Sequence, residues 1–251
     1  MEEFNLNTIR INSFTKNELE KALLVVLKGV NNPQIIITLN LDFLRIAESN
    51  TDFLHVCNNS LWNLPDGKGI TLLLRTKYSK KVRRITGNDL FPMLLEIADE
   101  QQYRVALIGS SEKVLTKIKD LILKKHQRIT DKLLCISPTI YFEKDPELNS
   151  KIINDVIDFK PDIVFAALGC PRQELWLWEN MVKFNSKINV GVGAVFDFYS
   201  GVKKRSPVPL QKIGLEWLWR LFSEPGRLFR RYIINDIPFF IKKLVEIKFN
   251  K

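Results

Sequence analysis

Asp66 stands between Pro65 and Gly67, directly after the apolar run Leu61–Leu64. A carboxylate in that setting has two readings. It can cap a helix or shape a turn, or it can act as a general base beside bound phosphates, accepting a proton from an attacking hydroxyl. Arg83, Arg84 and Gly87 follow within one short stretch and offer positive charge to a nucleotide. Gly109-Ser110-Ser111 lies between a strand-like and a helix-like run, where free backbone N–H groups at a helix start suit phosphate or ribose. Pro171-Arg172-Gln173-Glu174 opens another helix, with Gln173 able to donate and accept hydrogen bonds. Glu174 suits a helix start through the macrodipole alone.

Other chemistries find no support. Gly191-Val192-Gly193 lacks the third glycine of a dinucleotide fingerprint, and no Gly-x-x-x-x-Gly-Lys-Ser/Thr is present. No Asp-x-Asp occurs, so neutralising a diphosphate falls to arginines and backbone amides, and no metal or cofactor is expected. Cys57, Cys135 and Cys170 are odd in number and far apart, a pattern of neither disulfides nor metal ligands that fits a reducing cytoplasm. His55 and His126 are the only histidines, which argues against a histidine-rich zinc site.

These residues need a frame. Apolar, β-branched runs at 34–39, 61–64, 104–108, 132–136, 162–168 and 188–192 alternate with helix-like stretches at 41–59 (in two pieces), 70–74, 88–102, 111–126, 146–159 and 171–184. That alternation predicts an α/β fold, a Rossmann-like, mostly parallel sheet flanked by helices. Ligands of such sheets bind beyond the carboxyl ends of the strands. Asn40, Asp66, Gly109, Ser110, Gly169, Cys170 and Gly193 all fall there and are expected to share one rim.

The 251 residues carry 38 Lys+Arg against 28 Asp+Glu, and the excess is uneven. Residues 200–251 hold 12 basic and 4 acidic side chains, with 8 of the 26 aromatics. The expected organisation is therefore a catalytic α/β domain over 1–200 and a basic, amphipathic helical appendage over 201–251. A basic aromatic segment can meet nucleic acid, an anionic membrane or a phosphate-bearing ligand. No helix-turn-helix, zinc finger or aromatic RNA platform is visible, so nucleic acid is disfavoured. The longest uncharged runs are 13 residues, short of a membrane span. The acidic start MEEFNLNTIR does not read as a secretory signal.

Seven stretches together resemble the WecG/TagA/CpsF family of bacterial glycosyltransferases. They are ITLNLDFL (37–44), PDGKGI (65–70), RRITGNDLF (83–91), VALIGSSEKV (105–114), ALGCPRQELW (167–176), VGVGAVFDFYSGVKKRSP (190–207) and GLEWLWRLFSEPGRLFRRY (214–232). Pro65 replaces a common Ala, and Arg205-Ser206-Pro207 the usual Arg-Ala-Pro. The resemblance implies an inverting, metal-independent transferase with a UDP-sugar donor, N-acetylmannosamine or its uronic acid, UDP-glucose being a further alternative. The implied acceptor is N-acetylglucosamine on a polyprenyl diphosphate, as in teichoic acid, common antigen or capsule assembly. It implies Asp66 as base, Thr38 and Asn40 lining the cleft, and Gln173 on sugar or acceptor. It further implies Arg84 on the donor, with Arg220, Arg227 and Arg230 gripping the diphosphate. Those three arginines recur at seven and three residues, which would suit one helix face but for Pro225-Gly226 between them.

The tail over 235–251, with Ile237, Phe240, Ile241, Leu244 and Val245 at helical spacing among lysines, is expected to rest on an anionic membrane surface and to close the site. Docking of that face on the protein's own core is the alternative, and a homo-oligomer is left open. The expected location is cytoplasmic, peripheral on the inner face of the cell membrane. A non-catalytic nucleotide-sugar sensor is the rival on the same fold, and it would tolerate Asp66→Asn.

Overall fold

A computed structural model describes residues 1–29 and 32–249, except for the side chain of Lys212. Asn250 and Lys251 of the expected appendage lie outside the described residues. The chain opens with a hairpin, β1 (Glu2–Leu6) paired antiparallel with β2 (Ile9–Ser13). Six further strands follow: β3 (Gln34–Leu39), β4 (Trp62–Pro65), β5 (Val105–Gly109), β6 (Leu133–Ile136), β7 (Ile163–Ala167) and β8 (Ile188–Gly191). They form one parallel sheet in the order β4-β3-β8-β7-β5-β6. The expected strands are all present, within about a residue at most ends.

The reason is visible in the side chains. Strands β3, β5, β6 and β7 are largely apolar on both faces, so both faces of the sheet must be covered. Ile36, Leu64, Leu107, Phe165 and Val190 face helices Lys16–Gly29, Gly87–Gln101 and Glu112–Lys125. Ile35, Ile37, Ile108, Val164 and Ala166 face helices Leu41–Ser49, Thr51–Asn59, Lys68–Tyr78, Pro146–Phe159 and Arg172–Phe184. Burying each such side chain contributes roughly 1.5–3 kcal/mol before chain entropy is charged against it.

The hairpin and helix Lys16–Gly29 are additions to the sequence reading. Their signal was the alternation of Phe4, Leu6, Ile9 and Ile11, all buried, around a turn where Asn7 takes φ 53°. The two helical pieces expected over 41–59 are present, and they divide at Asn50. The Asn50 side chain accepts from the Phe53 amide and starts the second helix where the first ends.

Beyond Tyr199 the chain runs through helices Val208–Ile213, Glu216–Ser223 and Pro225–Phe229, a π-helical stretch Arg230–Asp236 and helix Ile237–Phe249. Phe239, Phe240, Leu244 and Ile247 pack on the body, where helix Ile237–Phe249 meets helix Lys68–Tyr78. Lys243 pairs with Glu48 at 2.6 Å. Ile237, Ile241, Val245 and Phe249 remain on the exposed side. Among the described residues no helix is long and apolar enough to cross a membrane.

Gly109 closes β5 with φ +100°, and a Cβ there would stand 2.7 Å from the Ala167 carbonyl oxygen. Gly109→Ala is therefore expected to lower stability by about 2–4 kcal/mol, through left-handed backbone strain and overpacking. Denaturant midpoints of wild type and variant measure it, and equal midpoints would contradict the assignment.

Candidate functional site

The parallel sheet brings Asn40, Asp66, Gly109, Gly169 and Gly193 to one edge, because each follows the end of a strand. The β4–β3 end of that edge opens into a cleft of about 480 Å³, walled on one side by the tail. The body contributes Asn40, Asp42, Asp66, Lys68, Leu72 and Arg84, and the tail Glu216, Trp217, Arg220, Arg231, Tyr232 and Asp236.

Asp66 is fixed through its backbone. Its N–H donates to the Leu39 carbonyl at 2.8 Å, and the preceding Pro65 carbonyl accepts from Ile85 at 3.1 Å. The capping alternative does not hold. Helix Lys68–Tyr78 is preceded by Gly67 at φ 89°, with no side-chain cap. Burial of the Asp66 carboxyl raises its pKa from 3.8 to about 6. Arg84 and the Gly87 amide oppose the rise, while Glu216 and Asp89 add to it.

The cleft's other charges largely cancel. Glu216 faces Arg205 at 3.2 Å and Arg84 at 3.6 Å. Asp42 meets Arg45 at 2.5 Å and Arg231 at 3.0 Å. Asp236 lies 3.4 Å from Arg45 and 3.6 Å from Arg231, and burial beside Asp42 raises its pKa to about 6. Among the described residues, Lys68 and Arg220 have no ion-pair partner. The Arg220 guanidinium lies 5.5 Å from the Phe198 ring centre, and its buried Nε has no hydrogen-bond partner. Among the described residues, one carboxylate without an ion-pair partner, Asp66, and two uncompensated cations thus remain in one cleft.

The other sequence-derived residues fall as follows. Asn40 caps helix Leu41–Ser49 by accepting from the Phe43 amide at 3.2 Å, and it also accepts from Arg231 at 3.4 Å. Thr38 is buried on β3 beneath Gly87 and does not line the cleft. Gln173 is buried and committed internally. Its Oε1 accepts from Gly169 at 3.0 Å and Gly193 at 3.1 Å, and its Nε2 donates to Glu174 at 2.6 Å. The bare Cα of Gly191 makes room for this pair. Burial raises the Glu174 pKa to about 7. Ser110 approaches Asp197 at 3.4 Å, outside the cleft, and Asp197 pairs with Lys203 at 2.8 Å.

Arg227 and Arg230 are exposed and do not line the cleft. Glu224 breaks the helical phase between Arg220 and Arg227 (φ −141°, ψ 60°), and Arg227 pairs with Glu224 at 2.8 Å. Arg231 lines the cleft where the sequence pointed to Arg230, in a π-helical stretch whose wider turn departs from 3.6-residue spacing. Sequence reasoning also missed Lys68, Asp42, Glu216 and Asp236 as cleft residues. Each lies in or beside a quoted stretch, but none carries a local signal that separates it from surface charge.

A family model described as the glycosyl transferase WecG/TagA/CpsF family matches residues 4–251. Among curated relatives, an N-acetylglucosaminyldiphosphoundecaprenol N-acetyl-β-D-mannosaminyltransferase of Bacillus subtilis (strain 168) is 30% identical over 193 residues, 77% of this chain and 73% of that protein. One of the same name from Staphylococcus aureus (strain MRSA252) is 26% identical over 217 residues, 86% of this chain and 82% of that protein. With nearly its whole length matched, the chain belongs to the WecG/TagA/CpsF family of glycosyl transferases.

Proposed function

We propose that this transferase moves N-acetylmannosamine from a UDP-sugar to N-acetylglucosamine on a polyprenyl diphosphate, with inversion and without a metal, in cell-surface polysaccharide assembly. The relatives' names support the acceptor and the sugar. The observation that carries the mechanism is the charge left after internal pairing: Asp66, Lys68 and Arg220 in one cleft. In an inverting transfer the acceptor hydroxyl attacks the anomeric carbon opposite the leaving UDP. Asp66 takes the hydroxyl proton as the bond forms, and a pKa near 6 suits a base working near neutrality. The departing diphosphate gains negative charge, which Arg220 stabilises more strongly than in the ground state. Its planar fork can meet phosphate oxygens in pairs. The acceptor's lipid requires a bilayer surface, and the exposed row Ile237, Ile241, Val245 and Phe249, flanked by Lys242 and Lys248, suits one of anionic composition.

The reading is tested by a donor screen with a prenyl-diphosphate-linked N-acetylglucosamine acceptor, with and without EDTA. UDP-N-acetylmannosamine should give product in both arms; loss of turnover in EDTA, or preference for another donor, would overturn that part of the reading.

Asp66→Asn should lower kcat about 10²–10⁴-fold while UDP still binds. The wild-type rate should rise with pH through about 6 as the carboxyl loses its proton. Full activity of the variant would sink the assignment.

Stability should move the other way. A folded-state pKa above the unfolded value means protonation favours the fold, and that stabilisation is lost as pH rises through about 6. Asp66→Asn should therefore be more stable than wild type at pH 8, by about 1–3 kcal/mol, and equal to it near pH 4. Thermal melts at the two pH values measure this.

Sedimentation with vesicles should show binding to anionic lipid that weakens in Ile241→Ser/Phe249→Ser. Equal recovery of both proteins would argue against membrane contact through that row.

A further inference from the structure

The proposed transfer brings two diphosphates to one cleft, one on the donor and one on the lipid acceptor. The cleft holds two cations without ion-pair partners among the described residues, and they sit on different walls. Arg220 comes from the tail and lies against Phe198. Lys68 comes from the body, two residues after Asp66, with its aliphatic stem packed where Gly214 leaves its Cα bare.

The surroundings of Lys68 differ from those of a nucleotide subsite. One helical turn beyond it on helix Lys68–Tyr78 stands Leu72, 45% exposed although it lines the cleft. Ile237 and Phe240 line the same cleft from helix Ile237–Phe249. That helix continues outward with exposed Ile241 and Val245. A cation at the cleft and apolar side chains that continue from it along helix Ile237–Phe249 match a molecule with a phosphorylated head and a hydrocarbon chain. A hexose and a diphosphate, both polar, have no use for such apolar side chains.

We infer that Lys68 holds the acceptor's diphosphate, and that Leu72, Ile237 and Phe240 hold the first isoprene units of its chain. This assignment rests on the reaction proposed above and divides its two diphosphates between two cations. It also makes the site's donor and acceptor halves separable by mutation.

Equilibrium binding to the full chain tests it, with UDP and N-acetylglucosaminyl-diphospho-farnesol as probes. Lys68→Ala should weaken the farnesyl probe about ten- to hundredfold and leave UDP affinity unchanged, which also reports an intact fold. Arg220→Ala should do the reverse. Lys68→Arg should restore most of the farnesyl affinity. Leu72→Ser/Ile237→Ser should abolish the gain in affinity that wild type shows on lengthening the prenyl chain from two units to three. Unchanged farnesyl binding in Lys68→Ala, with wild type active, overturns this assignment and leaves the reaction standing. Absence of any product from wild type with this acceptor and every UDP-sugar overturns the reaction and the assignment together.

Discussion

Asp42, at the start of the helix after β3, meets Arg45 of its own helix and Arg231 of the tail, and Asp236 completes the set from the tail side. Glu216 does the same from the other end, reaching back to Arg84 of the body. These pairs, with Lys243 on Glu48, hold the C-terminal helices over the carboxyl edge of the sheet. Replacing such pairs by apolar contacts can be neutral, but removing one partner strands a charge and costs about 3–5 kcal/mol. The pairing therefore does more for position than for net stability. Without the tail in that position, the cleft has one wall.

Burial does most to raise the proton affinity of Asp66, and the same pairing adjusts it. Arg84 pulls the carboxyl's proton affinity down, and Glu216 lies close enough to oppose it. Were Arg84 unopposed, Asp66 would be more firmly ionised and a weaker base. The tail that covers the cleft also supplies Glu216, so coverage and base strength are tied to one element. Arg220, from the same tail helix, has no carboxylate partner among the described residues, which suits a group reserved for a passing anion.

Helix Ile237–Phe249 docks on the body, as one of the two expectations for the tail had it, and still leaves an apolar face exposed. Phe240 and Leu244 dock on the body, while Ile237, Ile241 and Val245 face outward. One apolar periodicity serves both faces, because the helix is apolar around more of its circumference than a single interface needs.

The strands, the parallel order they imply and the rim at their carboxyl ends were legible in the sequence. Runs such as Gln34–Leu39 and Ile163–Ala167 are apolar on both faces, and only a sheet covered twice can bury them. Asp66 was legible for the same reason, since a polar residue that ends a buried strand must reach the rim. Whether it capped a helix was not, because Gly67 takes the position before the helix through backbone conformation alone. Arg227 and Arg230 illustrate the limit most clearly. Their spacing from Arg220 fits one helix face, yet a single non-helical residue at Glu224 and a π-turn after Phe229 rotate them out and bring Arg231 in. The chain itself determines which residues are buried in strands and helices, since hydrophobic periodicity is local. Which charges are cancelled and which stay available depends on partners nearly two hundred residues apart, as for Asp42 and Arg231, and only the folded arrangement brings them within ion-pair distance.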